Sequence, residues 1–284
     1  MGSVTTKMHE NGLEYIDIDT QHCQARIFKQ GAQIDFFKPK GQQPLLWRSS
    51  DNDYQVGSAI RGGIPICWPW FGMHANPDWP QHGFARTQIW QLSEVNINET
   101  EVDLLFTLTL NDSTQEYWPH RTQLSARFRL SDTLSLSLIN TNLDDKTITF
   151  SQALHSYFSI GDIHQFSATG FGQAQFIEFN QGPFTQEQDN LVITQETDKV
   201  FTQLRPLQQL HTPKGIIEVS RQNSHSAILW NPWIEKSTRL SRFRDDDYLS
   251  MICLEAANVL DDSVTLAPNE THTLTTHIRW QTTP

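Results

Sequence analysis

The feature that most constrains the fold is a two-residue alternation of apolar and polar side chains over three segments. Apolar residues occupy every second position: Val102, Leu104, Phe106, Leu108 and Leu110; Leu124, Ala126, Phe128 and Leu130; Leu134, Leu136 and Leu138. Successive side chains of a β-strand point to opposite faces, so this pattern predicts strands with one buried and one wetter face. Ser131-Asp132, between the second and third segments, predicts a hairpin turn.

Many further segments have strand character. We predict additional strands at 13–19, 24–30, 33–38, 89–97, 146–151, 153–159, 191–194, 215–220, 226–230, 251–257 and 272–280. Numerous short strands bounded by turns favour an all-β fold, a large antiparallel β-sandwich with few short helices, over alternating βαβ units. Residues 1–284 are expected to form one domain, because all-β sandwiches reach this length undivided.

Helical periodicity is scarce. The best helix candidate is 237–248, and its Asp245-Asp246-Asp247 run favours a solvated face or turn over a metal site, because metal sites need converging ligands. The histidine pairs His74/His82 and His272/His277 also lack ligand spacing supported by nearby carboxylates or cysteines. We therefore expect no metal.

Charge and composition limit the partners and the cellular compartment that we expect for this chain. The formal net charge of −11 repels nucleic acid and anionic membranes, so neither is an expected partner. Cys23, Cys67 and Cys253 form no disulfide framework, which favours a reducing cytoplasm. The N-terminal segment 1–11 lacks the apolar stretch of a signal peptide, and no run is long enough to span a membrane. We expect a cytoplasmic monomer.

The segment 51–86 is rich in Gly, Pro and Trp, and a long structured loop inside a compact domain is usually functional. It contains RGGIPICWPWFG from Arg61 and QHGFAR from Gln81 to Arg86. Paired glycines let the backbone approach a ligand, and aromatic rings suit sugar faces. A tight turn packed by tryptophans explains the first motif equally well. Arg61 and Arg86 could together clamp a phosphate, because guanidinium groups offer forked donors.

Two polar residues, His155 and Glu255, lie in predicted strands that are otherwise largely apolar. Alternation in ALHSYF places His155 on one face with Ala153 and Tyr157, and alternation in MICLEA places Glu255 on one face with Cys253. Each alone is more simply explained as a hydrogen-bonded core group. Together, on separate strands, they favour a site for acid-base chemistry, because an imidazole and a carboxylate can exchange protons near neutral pH. Such chemistry needs no metal or redox cofactor.

Motifs of other enzyme classes are missing. The sequence has no G-x-G-x-x-G, Walker-type loop, G-x-S-x-G elbow or H-E-x-x-H. This argues against nucleotide enzymes, α/β-hydrolases and zinc proteases.

Six motifs in order resemble one family. They are RGGIP with PWFG, QHGFAR, ALHSYF, DKVF at Asp198 to Phe201, WNPW at Trp230 to Trp233, and CLEAANV from Cys253. The chain is similar to the aldose 1-epimerase superfamily and, within it, to the hexose-6-phosphate mutarotases. Six ordered motifs over Arg61 to Val259 are far more specific than any one.

The resemblance implies a galactose-mutarotase-like β-sandwich with a cleft on one sheet. It implies His155 as the general acid and Glu255 as the general base of anomer interconversion on a sugar phosphate, with glucose 6-phosphate the expected substrate. It also implies substrate binding by Arg61, Gln81, Arg86 and Asp198, with His82 lining the site. An epimerase of unphosphorylated aldoses and a noncatalytic carbohydrate-binding module are the alternatives.

Two positions depart from the family pattern. Phe201 stands where similar sequences carry Tyr, and the region from Gly170 to Asn180 lacks the usual Tyr-x-Asp. Phe176 and Glu178 have no assured counterparts there, so we assign no substrate contact to this region.

Overall fold

The structure, a computed structural model, describes residues 2–281. In chain order its strands are β1 Ser3–Met8, β2 Glu14–Asp19, β3 Cys23–Phe28, β4 Gln33–Pro39, β5 Ile66–Cys67, β6 Gln91–Ile97, β7 Val102–Leu108, β8 Thr122–Leu130, β9 Leu134–Asn142, β10 Ile148–Phe150 and β11 Gln152–Leu154. They continue with β12 Tyr157–Ser159, β13 Ser167–Thr169, β14 Gln175–Glu178, β15 Gln181–Thr185, β16 Thr197–Thr202, β17 Leu207–Thr212, β18 Gly215–Gln222, β19 Ser226–Asn231, β20 Met251–Asn258, β21 Val264–Leu266 and β22 Thr271–Trp280. The helices are α1 Asp112–Gln115 and α2 Trp233–Ser237, with 3₁₀ turns at Ala85–Thr87, Ile163–Gln165, Asp247–Leu249 and Leu260–Asp262.

Two eight-stranded antiparallel sheets dominate the fold. One has the order β15-β14-β16-β19-β20-β11-β5, with β12 also paired to β20, and we call it the site sheet. The other, the back sheet, has the order β13-β17-β18-β22-β9-β8-β7-β6. A four-stranded sheet, β1 to β4, and a β10-β21 pair complete the structure.

The alternating segments build the back sheet as predicted. Phe106 of β7 pairs with Ala126 of β8, which pairs with Leu138 of β9, and all three side chains are fully buried. The register therefore aligns the apolar positions in rows on one face. Their neighbours in the main core include Leu154 and Leu254 of the site sheet. The inner faces of both sheets thus share one core, which confirms the predicted antiparallel sandwich.

The opposite face of the site sheet carries a second apolar cluster, which includes Tyr157, Trp230, Cys253 and Ile228. β20 is buried on both faces along its whole length. This explains why its sequence is apolar at nearly every position and why Glu255 stands out in it.

Several local predictions are wrong. The helix predicted at 237–248 is absent: α2 ends at Ser237, and Arg242 has φ 55°, a left-handed conformation that an α-helix cannot contain. Residues 191–194 form no strand, only one bridge from Leu191 to Ala168. The strand predicted at 153–159 is split into β11 and β12, because Ser156 N–H turns back to donate to the carbonyl of Leu154 at 2.9 Å.

Within residues 2–281, no helix combines the length and apolar character needed to cross a membrane. The main core contains residues from Ile16 to Trp280. This agrees with a single domain, although the single-domain organisation stays a prediction. All three cysteines are buried and unpaired.

Candidate active site

A cavity of about 440 Å³ lies on the outer face of the site sheet. All seven residues predicted for the site line it: Arg61, Gln81, His82, Arg86, His155, Asp198 and Glu255. Strands supply its floor, whereas the loop before β5, the 81–86 segment and the chain after α2 supply its walls. The structure therefore brings together residues that are up to 194 positions apart in the sequence.

His155 and Glu255 lie side by side on the floor. His155 sits in the break between β11 and β12, and its N–H donates to the carbonyl of Pro65 at 3.0 Å. Glu255 lies in β20, paired with Ile228 of β19. The imidazole Nε2 and the carboxylate Oε1 are 3.4 Å apart. The imidazole also stacks on Tyr157, with ring centres 4.8 Å apart and planes at 10°, so a neighbouring ring holds the His155 side chain in place.

Both members of the pair are removed from water. His155 is 8% exposed and Glu255 is 1% exposed. No described residue hydrogen-bonds to His155 Nδ1 or Glu255 Oε2. Unpartnered buried polar atoms are costly in a folded chain, and they commonly mark functional sites.

The surroundings shift both pKa values in opposite directions. Burial, followed by the positive charges of Arg86 and Arg61, lowers the pKa of His155 to about 3. Burial, followed by the negative charge of Asp198, raises the pKa of Glu255 well above its usual 4.5, with Arg86 acting against that shift. Burial therefore disfavours the charged form of each group.

The two arginines carry no carboxylate partner among residues 2–281. Arg61 donates to Tyr157 Oη at 3.5 Å and to the carbonyl of Ser241 at 3.2 Å. Arg86 donates to the carbonyl of Gln81 at 2.7 Å. Two guanidinium groups therefore face one cavity with their charges unneutralised, an arrangement that suits an anionic ligand.

Glycines position these arginines. Gly63 has φ 63°, and an added Cβ would lie 2.2 Å from the carbonyl oxygen of Ile34. Gly83 has φ 71°, and its Cβ would lie 2.0 Å from the carbonyl oxygen of Trp68. Both motifs therefore require glycine for conformation and for close backbone approach.

His82 is a neutral wall of the cavity. Its backbone is left-handed, with φ 65°, and its Nδ1 accepts a hydrogen bond from the N–H of Gly72 at 3.1 Å. Burial, then the charges of Arg86, His155 and Arg61, keep its pKa well below 6.5. The ring proton therefore belongs on Nε2. This ring meets His155 edge to face at 5.7 Å.

Asp198 lies at the other end of the floor, on β16. Burial raises its pKa, and Lys236 partly opposes the shift. Lys236 Nζ is 4.0 Å from Asp198 Oδ2 and 2.9 Å from Glu196 Oε1. Lys236 is not among the residues predicted from the sequence, although its place three residues after WNPW is a usable signal. Arg242 also lies outside that prediction; it lines the cavity and pairs with Asp53 at 2.8 Å.

The departures from the family pattern lie away from the cavity. Phe201 is fully buried in the main core against Phe171 and Phe176, at ring distances of 4.9 and 5.5 Å. A tyrosine hydroxyl would meet apolar surroundings there. No three His, Cys, Asp or Glu side chains of the described chain cluster as metal ligands.

Known proteins are similar to this chain over most of its length. The model of the family described as Aldose 1-epimerase matches residues 14–279. The chain belongs to the aldose 1-epimerase family. The Escherichia coli K12 protein named "Putative glucose-6-phosphate 1-epimerase" is 33% identical over 248 residues, covering 86% of this chain and 83% of that protein.

Solved structures confirm the fold of this family member. A crystal structure named as a putative mutarotase from Salmonella typhimurium superposes with a TM-score of 0.90 at 29% identity, covering 97% of this chain and 92% of that one. Galactose 1-epimerase from Lactobacillus acidophilus gives a TM-score of 0.74 at 15% identity, covering 99% and 98%. The galactose-mutarotase-like sandwich and the epimerase family predicted from the sequence are confirmed.

Proposed function

We propose that this epimerase interconverts the α and β anomers of a hexose 6-phosphate, with glucose 6-phosphate as the expected substrate. The observation that carries the proposal is the presence of an adjacent imidazole and carboxyl in one cavity with two guanidinium groups that have no carboxylate partner among residues 2–281. The printed name of the E. coli relative agrees with this substrate.

Ring opening uses the pair as acid and base. Glu255 takes the proton of the anomeric hydroxyl while His155 gives a proton to the ring oxygen, and the bond between C1 and that oxygen breaks with its electrons passing to the oxygen. The open-chain aldehyde rotates about C1–C2, and the reverse transfers close the ring on the other face. Both reacting oxygens are bonded to C1, so an acid and a base 3.4 Å apart can reach them together.

The proposal that the substrate carries a phosphate group depends on electrostatics. In a chain of net charge −11, a dianionic substrate needs local cations, and Arg61 and Arg86 supply two that pair with no carboxylate in the described part of the chain. Gln81, His82 and Asp198 are proposed to contact sugar hydroxyls and the ring, because they line the same cavity.

The proposal is tested by anomer-exchange NMR on glucose 6-phosphate and on glucose. We expect faster exchange of the phosphorylated sugar, and a loss of about 10²- to 10⁴-fold in His155→Gln or Glu255→Gln. Arg61→Met and Arg86→Met should lower kcat/KM for glucose 6-phosphate by about tenfold or more each, as expected for a charged hydrogen bond of about 1.5 to 3 kcal/mol.

Arg129→Met is the matched control, because Arg129 lies on β8 of the back sheet with a half-exposed side chain. It should leave exchange unchanged. Equal catalysis of both sugars would remove the phosphate claim and favour an epimerase of unphosphorylated aldoses. Binding without exchange would favour a noncatalytic module.

The cellular setting is part of the proposal. Three buried, unpaired thiols suit a reducing cytoplasm, and the acidic net charge disfavours nucleic acid as a partner. The monomeric state and the absence of a metal or cofactor stay predictions.

A further inference from the structure

The hydroxyl group of Tyr157 is a buried donor in the candidate active site. The side chain lines the cavity, and the residue is only 2% exposed. Its Oη accepts a hydrogen bond from Arg61 Nη1 at 3.5 Å, but within residues 2–281 it donates to no acceptor. A phenol carries a proton to donate, and the great majority of buried donors in folded proteins have an acceptor. The hydroxyl is therefore free to donate to a molecule bound in the cavity.

The protein fixes this hydroxyl in place through other parts of the residue. The ring stacks on His155, with centres 4.8 Å apart, and on Trp47, with centres 5.7 Å apart and planes at 23°. The backbone N–H of Tyr157 donates to the carbonyl of Gly63 at 2.9 Å, and its carbonyl accepts from the N–H of Trp47 at 3.0 Å. The orientation of the ring thus needs no hydrogen bond from the hydroxyl itself.

The neighbour of the hydroxyl indicates which kind of acceptor fits it. Arg61 has no carboxylate partner among residues 2–281, so the nearest group is an unneutralised cation. A contact of 3.5 Å is longer than an ordinary hydrogen bond, so both groups can turn to a shared acceptor. Burial raises the pKa of Tyr157, which keeps the proton on the hydroxyl. An anionic oxygen satisfies both donors, and a phosphate group offers three oxygens.

The chemistry of the proposed substrate places its phosphate in the same region. His155 gives its proton to the ring oxygen, and in a hexose 6-phosphate that oxygen is joined to phosphorus only through C5, C6 and O6. The phosphate therefore lies close to the acid when the ring oxygen faces it. Tyr157, which stacks on His155 and contacts Arg61, lies between the acid and a phosphate-binding cation.

We propose that the hydroxyl of Tyr157 donates a hydrogen bond to the 6-phosphate of the substrate, the same group that Arg61 binds. The inference rests on the proposed function. It adds a neutral donor to the two arginines and makes Tyr157 a residue that distinguishes phosphorylated from unphosphorylated sugars. The hydroxyl takes no part in proton transfer.

The first test measures binding of the anion alone. Tyr157→Phe removes the hydroxyl and keeps the stacked ring, and calorimetric titration with inorganic phosphate should show about tenfold or more weaker binding. Tyr248→Phe is the matched control, because Tyr248 packs against the same outer-face apolar cluster but does not line the cavity. It should bind phosphate as the unchanged protein does. Urea unfolding should show no loss of stability in Tyr157→Phe, since the removed hydroxyl donates to no described residue.

The second test measures the choice between sugars. In anomer-exchange NMR, Tyr157→Phe should lower the ratio of kcat/KM for glucose 6-phosphate to kcat/KM for glucose by about tenfold or more, chiefly through a higher KM for the phosphorylated sugar. The double variant with Arg61→Met should lose less than the product of the two single losses, because both donors bind one group.

The outcomes distinguish the inference from the proposed function. No exchange of glucose 6-phosphate by the unchanged protein would overturn the function. Rapid exchange by the unchanged protein, together with full phosphate affinity in Tyr157→Phe, would overturn the inference alone. Equal losses for glucose and glucose 6-phosphate in folded Tyr157→Phe would also overturn it, because the hydroxyl would then act on the sugar ring or on the structure of the site.

Discussion

Gly83→Ala should damage both the stability and the site of this epimerase. At φ 71°, an alanine in place of glycine costs about 1 to 2 kcal/mol. Its Cβ would lie 2.0 Å from the carbonyl oxygen of Trp68, where real contacts exceed 3.0 Å, so backbone must move by about 1 Å. Forcing atoms into packed surroundings costs about 1 to 3 kcal/mol more. The total is about 2 to 5 kcal/mol.

Gly41→Ala isolates the steric part. Gly41 has nearly the same φ, 73°, but an added Cβ meets no atom within 4 Å. It should therefore lose only the conformational part, about 1 to 2 kcal/mol, and keep its turnover. In Gly83→Ala, displacement of the neighbouring His82 and Arg86 should lower kcat/KM for glucose 6-phosphate by about 10²-fold, since a 1 Å error in positioning can cost that much. Urea unfolding and exchange NMR measure both quantities, and equal losses in the two variants would refute the steric reasoning.

Two other perturbations test the buried groups. The pKa of His155 is lowered to about 3, so on acidification the unfolded chain binds a proton at this residue before the folded chain does. The contribution of this group to the free energy of unfolding is therefore present above pH 6.5 and is lost as the pH falls towards 3. His155→Gln should flatten the urea-unfolding free energy over that window, and an unchanged pH dependence would contradict the burial. Phe201→Tyr should lower the unfolding free energy by about 1 to 3 kcal/mol with kcat unchanged, because its hydroxyl would be buried without a partner. A fall in kcat at full stability would instead place Phe201 in the site.

The sequence predicts six of the eight strands of the back sheet because their chemistry is local, whereas β13 and β17 lie outside the predicted segments. In β7 to β9 one face is buried and the other is wetter, so alternation marks each strand. In the site sheet, β20 is predicted although it is buried on both faces, whereas the short β14 and β15, which have little apolar pattern, are not predicted. The helix predicted at 237–248 is wrong because the conformation of this segment is set by contacts with distant residues, such as the pairing of Arg242 with Asp53.

The candidate site was predictable for a different reason. The motifs supply residue types that need one another, an acid, a base and two cations, and all seven predicted residues line the cavity. What the sequence could not supply is the environment of the acid and the base. The 3.4 Å separation of His155 Nε2 from Glu255 Oε1 and the burial of both side chains follow from the three-dimensional fold, not from spacing along the chain.

Strands form the floor of the cavity and loops form its walls, so substrate choice and chemistry can depend on different parts of this fold. His155, Glu255 and Asp198 come from the site sheet and its strand break, whereas Arg61 and Arg86 come from loops that cross it. The same sandwich occurs in a galactose 1-epimerase at 15% identity, so the sheet tolerates extensive sequence change. Loops can exchange a cation for a neutral side chain without moving the strands that hold the proposed proton-transfer pair.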